Sequence, residues 1–181
     1  GLGWLRALRD LGLGGCLADD MGLGKTVQVL ALLAGETGKR SGPTLVVAPK
    51  TLVFNWESEA ARFTPGLRVW AHLGVGRARR VEEFAGMDLV LTTYGTLRQD
   101  VEFLASVPFH YVILDESQAI KNADTSTAKC ARALRAEHRL VMTGTPVENR
   151  LQDLFSQFQF LNPGLFGSDT FLARISRNAG L

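Results

Sequence analysis

The sequence is poor in features that announce export, a metal cluster or a membrane span. It holds only two cysteines in 181 residues, Cys16 and Cys130. Their separation fits neither metal-ligand spacing nor a disulfide framework, so both are expected as buried, small apolar residues in a reducing compartment. No uninterrupted apolar run approaches ~18 residues, and the first residues lack a signal-peptide pattern. An intracellular protein with no membrane partner is the expectation. An excess of charge of one sign is also missing: 20 Lys and Arg stand against 18 Asp and Glu, a formal net charge of +2. That balance excludes the global basic field by which some chains announce nucleic-acid binding, so any such contact must be local. There is no internal repeat, low-complexity tract or long linker.

What is present is enough apolar residue to build one core. With 46% hydrophobic and 21% charged residues, the chain reads as one folded domain. Short runs rich in Val, Leu and Ile predict strands at 14–18, 44–48, 68–72, 88–92, 110–114 and 138–142. Segments of helical period separate most of them, the signature of alternating βα units. The predicted fold class is α/β, with a central, mostly parallel sheet and helices on both faces. One helix is read from Thr26 to Ala34, with Val27, Leu30, Ala31 and Ala34 facing inward and Gly35 as its stop. A second places Leu52, Trp56, Ala60 and Phe63 on one face, which makes Trp56 a core residue rather than a stacking platform. A third runs from Asp124 to Leu134, capped by Asp124 or Ser126, and a fourth from Leu151 to Leu161, stopped by Asn162-Pro163-Gly164. Gly1 to Asp10 already has helical period and no initiator methionine, so the chain is expected to be part of something longer.

Three constellations carry chemistry. The first, ADDMGLGKT at 18–26, ends as a phosphate-binding loop does but has Asp19 where the general pattern G-x-x-x-x-G-K-[ST] has glycine. Its setting between a strand and a helix aims backbone N–H groups and a helix N-terminus at an anion. Gly22 and Gly24 let the backbone curl, Lys25 would reach β- and γ-phosphates, and the Thr26 hydroxyl would ligate Mg2+. The second, YVILDES, ends an apolar strand in Asp115-Glu116, which supplies one carboxylate for Mg2+ and another to orient and deprotonate the attacking water. The third, LVMTGTPVEN, ends a strand in small hydroxylated residues. There Thr143 and Thr145 could hydrogen-bond the acidic strand end, or form an ordinary turn.

The segments DDMGLGKT, LVVAPKTLVFNWESEA, DLVLTTYGTL, LDESQAIKN and LVMTGTPVENRLQDLFSQFQFLNPGLFG occur in that order. Together they resemble motifs I, Ia, Ib, II and III of the Swi2/Snf2 family of superfamily 2 helicase-like ATPases, over nearly the whole chain. The family's loop resembles D-[DE]-M-G-L-G-K-T, so Asp19 becomes one of the more specific letters. The resemblance implies a RecA-like P-loop NTPase lobe, the first of two, in an ATP hydrolase that moves along double-stranded DNA and remodels DNA-bound protein complexes. Such a protein belongs in the cytoplasm or nucleoid of a prokaryote or the nucleus of a eukaryote.

Carried over, the resemblance gives ATP and Mg2+ as ligands. Asp19, Asp20, Met21, Gly22, Leu23, Gly24, Lys25 and Thr26 form the nucleotide loop, and Thr26 and Asp115 hold the metal. Lys25, Asp115, Glu116 and Gln118 are the catalytic set. Gln118 couples the nucleotide to Thr143, Gly144 and Thr145, and DNA-backbone contacts fall near Pro49, Lys50, Thr51, Thr92, Thr93 and Tyr94. Such phosphate contacts carry no base information. Ser117 stands where the family more often has alanine or glycine. The resemblance also implies adenine contacts upstream, and a second lobe with an arginine finger, worth ~10³ or more in rate. These 181 residues alone are therefore expected to be nearly inactive. The alternatives are a lobe of a strand-separating helicase and a non-catalytic scaffold that binds DNA or a partner. GVGRARR at 74–80 is read evenly as a solvated helix face or a nucleic-acid contact. His72, His110 and His138 are taken as structural. Phe155, Phe158 and Phe160 are read as core, or as a face for the second lobe.

Overall fold

The computed structural model of the chain describes residues 1–19, 22–36, 38, 40–144 and 151–164. All six predicted strands are present: β1 Gly15–Leu17, β2 Thr44–Ala48, β3 Val69–Ala71, β4 Leu89–Thr93, β5 Pro108–Asp115 and β6 Arg135–Met142. They form one sheet in the order β1-β6-β5-β2-β4-β3, and every pairing is parallel. Parallel neighbours need crossover connections, and α-helices stand in all of those between successive strands but the one from β3 to β4, which holds short 3-10 turns. The α-helices are α1 Leu2–Asp10, α2 Lys25–Ala34, α3 Lys50–Phe63, α4 Tyr94–Gln99, α5 Val101–Ser106, α6 Ser126–Ala133 and α7 Leu151–Leu161.

Strand alternation divides the core in two. Val46, Leu91, Tyr111, Ile113 and Met142 pack with Leu5 of α1, Leu30 and Leu33 of α2, and Val53 and Trp56 of α3. Leu45, Val47, Val90, Val112, Leu114 and Val141 face the other way, toward Leu97 of α4, Leu104 of α5, Ala128 and Ala131 of α6, and Phe160 of α7. The sheet is covered on both faces, as a parallel sheet must be.

Several local expectations are corrected. The buried face of α2 is Val29, Leu30, Leu32 and Leu33, because two layers of neighbours widen the stripe beyond a strict i, i+3, i+4 reading, and Ala34 is exposed. Gly35 does close α2, but in right-handed conformation, with φ −69°. In α3, Val53 is buried with Trp56 and Ala60, whereas Phe63 is exposed at the helix end. The cap of α6 is Thr125, whose side chain accepts from the Ala128 N–H. Cys16 and Cys130 are only half-buried. Phe160 is fully buried in the core, whereas Phe155 and Phe158 are half-buried.

Candidate functional site

Parallel strands place all their C-terminal ends on one edge, and every motif follows such an end. Leu17 of β1 pairs with Met142 of β6, which pairs with Asp115 of β5. Ala48 of β2 pairs with Thr93 of β4 on the far side of β5. The loop after β1, the residues after β6 and the acidic end of β5 therefore lie side by side, at the edge where open α/β sheets bind ligands.

The loop is built by two left-handed residues. Gly22 has φ 86°, and Gly24, the N-cap of α2, has φ 71° and ψ 31°. A Cβ at either position would meet no atom within 4 Å, so the need for glycine is conformational rather than steric. Lys25 opens α2, and its Nζ donates to the Asp19 carbonyl oxygen at 2.6 Å. This contact uses the Asp19 backbone and does not depend on the side chain at that position. Asp20, Met21 and Thr145 lie outside the described residues.

At the end of β5, Asp115 is 5% exposed. Its Oδ2 accepts from the Trp56 indole N–H at 2.9 Å, and its Oδ1 from the Glu116 backbone N–H at 2.9 Å. Burial pushes its pKa up, against those two hydrogen bonds and the charge of Lys25. Glu116 has φ 50°, alone among the described non-glycine residues in being left-handed; such strain collects at functional turns. A hydrogen-bonded chain leads onward from it. Gln118 Nε2 donates to Glu116 Oε2 at 2.8 Å, and the Thr143 hydroxyl donates to Gln118 Oε1 at 3.4 Å. The Thr143 N–H, in turn, donates to the Leu17 carbonyl oxygen at 3.2 Å. Thr143 and Gln118 are thus brought together with the acidic pair, and Gly144 follows in a bend beside them. Ser117 is fully buried, and its hydroxyl has no hydrogen-bond partner among the described residues.

The six residues expected near DNA divide. Pro49 caps α3, and Lys50 and Thr51 are exposed at its start. Thr93 is half-buried and caps α4 through its side chain. Thr92 and Tyr94 are corrections as side-chain contacts. Thr92 is fully buried, and its hydroxyl donates to the His72 carbonyl oxygen at 3.0 Å. Tyr94 is 9% exposed, and its hydroxyl donates to the Asp115 carbonyl oxygen at 2.7 Å. Burial, then the charges of Asp115 and Glu116, push the Tyr94 pKa well up, which keeps the hydroxyl protonated as a donor. Sequence reasoning put Trp56 in the core but missed its bond to Asp115; the available signal was that a buried indole N–H needs an acceptor.

The remaining candidates are structural. His72 Nδ1 accepts from the Ala78 N–H, so its Nε2 donates to Asp100 Oδ2, at 3.0 Å. Arg77, from the basic run, pairs with the same carboxylate at 2.7 Å. That run forms a short 3-10 turn and a loop, not a helix face. His110, Glu137 and His138 bring ligand-type atoms within 4.8 Å of one another. His110, however, uses both ring nitrogens on carboxylates, Glu137 at 2.8 Å and Glu36 at 3.1 Å, so ion pairing accounts for the cluster. It lies at the opposite edge of the sheet from the motifs.

A parallel sheet with a glycine-built loop, a lysine opening the next helix and an acidic end two strands away is the RecA-like fold of SWI2/SNF2 ATPase cores. The SNF2-related domain matches residues 1–179, and the chain belongs to that family. It is 44% identical over 176 residues to YwqA of Bacillus subtilis, covering 94% of this chain and 19% of that protein. It is 38% identical over 182 residues to the chromatin-remodeling ATPase INO80 of Schizosaccharomyces pombe, covering 93% of this chain and 11% of that one. The SWI2/SNF2 ATPase core of Sulfolobus solfataricus, solved in complex with dsDNA, superposes with a TM-score of 0.86 at 39% identity, covering 96% of this chain and 36% of the other. The chain thus spans about a fifth or less of the two full-length relatives.

Proposed function

We propose that this chain is the ATP-binding lobe of a DNA-dependent ATPase that couples hydrolysis to translocation on double-stranded DNA and remodels DNA-bound protein. The observation that carries the reading is the convergence of Lys25, Asp115-Glu116 and Thr143 on one strand edge, joined by the chain from Glu116 through Gln118 to Thr143. The names of INO80 and of the Sulfolobus complex support it.

In this reading Lys25 exchanges the Asp19 carbonyl for phosphate oxygens, and backbone N–H groups around Gly24 complete the cradle. The residues fit a divalent cation: Asp115 is a buried carboxylate, and among the described residues each of its oxygens accepts one hydrogen bond, which leaves lone pairs for a metal. Asp115 and the Thr26 hydroxyl would hold Mg2+, which neutralises charge on the phosphates when bound. Glu116, less buried than Asp115, accepts the proton of the attacking water, and Gln118 fixes its carboxylate. Pro49, Lys50, Thr51 and Thr93 face the duplex backbone. The lobe works with a second RecA-like lobe that completes the site.

The test is ATP hydrolysis by the full-length protein with and without duplex DNA. Lys25→Ala should reduce DNA-stimulated turnover at least a hundredfold while its circular dichroism and melting stay at wild-type values. A variant that kept wild-type turnover would sink the phosphate-loop assignment.

A further inference from the structure

Asp115 is gripped from both faces of the sheet. By the alternation of β5, its side chain lies on the side of Tyr111 and Ile113, where α3 packs. From there Trp56, fully buried, donates its indole N–H to Oδ2 at 2.9 Å. From the other face Tyr94, packed among Val47, Leu114 and Leu97, donates its hydroxyl to the Asp115 carbonyl oxygen at 2.7 Å. The strand order is β5-β2-β4, so Tyr94, at the end of β4, reaches across β2 to make this bond. Each donor belongs to a helix whose first residues are at the site edge. Trp56 stands under two turns into α3, after Pro49, and Tyr94 opens α4, directly after Thr93. A buried aromatic hydrogen bond is rigid, because ring packing leaves its donor no second position.

We propose that Trp56 and Tyr94 are positioning residues for Asp115, and that they link the loops at Pro49–Thr51 and Thr93 to the acidic strand end. A ligand that engages either loop displaces the start of α3 or α4. The donor it carries then resets the Asp115 carboxylate or its carbonyl, and with them the Glu116 turn that begins at the next peptide. This rests on the DNA-dependent ATPase reading above and gives it a route for regulation: duplex backbone at the loops would tune the metal-binding carboxylate. Tyr94 then acts through Asp115 rather than by touching DNA.

The test uses the full-length protein with Tyr94→Phe, which removes one hydroxyl and keeps the ring, and with Trp56→Phe. Three quantities are read: kcat at saturating duplex, the duplex concentration giving half-maximal stimulation, and, by equilibrium binding without turnover, the Mg2+ concentration giving half-maximal nucleotide binding. Tyr94→Phe should lower the saturated kcat by about fivefold or more, since a lost buried hydrogen bond is worth ~1 kcal/mol or more. The half-stimulating duplex concentration should stay within about twofold of wild type. Trp56→Phe should in addition raise the Mg2+ requirement several-fold. A Tyr94→Phe enzyme that needs more duplex but regains full kcat when saturated would make Tyr94 a DNA contact and overturn the proposal. Unchanged kcat in a duplex-stimulated protein would overturn it too while leaving the function reading intact. A wild-type protein indifferent to duplex would overturn that reading, and the link with it. Should Trp56→Phe fail to fold, Tyr94→Phe decides alone.

Discussion

The two edges of the sheet treat charge in opposite ways. At the edge where the strands begin, acids meet bases: Glu36 pairs with Arg9 at 2.6 Å and with His110, which also pairs with Glu137. At the edge where they end, Asp115 and Glu116 are adjacent, and the hydrogen bonds to their side chains among the described residues come from an indole, a backbone amide and a side-chain amide, with the charge of Lys25 nearby. The first edge closes its acids with ion pairs, and at the second, among the described residues, the acids hydrogen-bond neutral groups. Breaking a buried ion pair costs stability, whereas in the proposed reading the acids of the second edge take a cation. The comparison separates what the chain needs in order to fold from what it needs in order to act.

The sharpest way to break this division is at Glu116. Glu116→Gln should lower kcat by about a hundredfold or more while nucleotide still binds, the usual scale for loss of a general base. Melting should stay level or rise slightly, since the change removes like charge beside Asp115. A large loss of stability without loss of kcat would reverse the roles of the two edges. At the opposite edge, Glu36→Gln removes a carboxylate that is 3% exposed from its two cationic partners. It should cost about 3 kcal/mol in denaturant unfolding, with kcat per folded molecule unchanged.

The smallest effect is in pH. Burial lowers the His110 pKa, but the hydrogen bonds to Glu36 and Glu137 outweigh it and leave the value raised. A raised histidine contributes fully below its unfolded pKa of about 6.5 and loses that contribution as pH rises through the folded value. Glu36 and Glu137 behave conversely. Glu36 is held down by His110 and Arg9 against its burial, and Glu137 by hydrogen bonds with Ser41 and His110, so their share is lost as pH falls through their folded values. The stability difference between wild type and His110→Asn should be greatest at about pH 5 to 6 and shrink toward about pH 9, by ~1.4 kcal/mol per unit of raised pKa. A flat difference over that range would show that His110 is not held protonated between the carboxylates.

Much of this edge-to-edge plan is legible in the sequence, and what escapes has a common cause. The strands are found because β2, β4 and β5 are Val, Leu and Ile runs buried on both sides. The loop and the acidic end are found because their chemistry is written in contiguous letters. The helices α4 and α5 are not, since six residues each are too few to show a period. The bonds of Trp56 and Tyr94 to Asp115 span 59 and 21 positions, and no local pattern records them. The same holds for Glu36 with His110, 74 positions apart. Burial of Thr92 and Tyr94 escapes because a motif names residues without saying which way they point.

One feature of the strand order acts as a ruler. Because β6 alone lies between β1 and β5, the phosphate loop and the acidic end are held two strand widths apart, about 10 Å. Hydrogen bonds across the sheet fix that gap. If the loop holds phosphate as proposed, a lone phosphate ion there would fall short of Asp115. In the proposed reading a polyphosphate chain with its cation would bridge both ends, so that the sheet would select for length before any base or sugar is read.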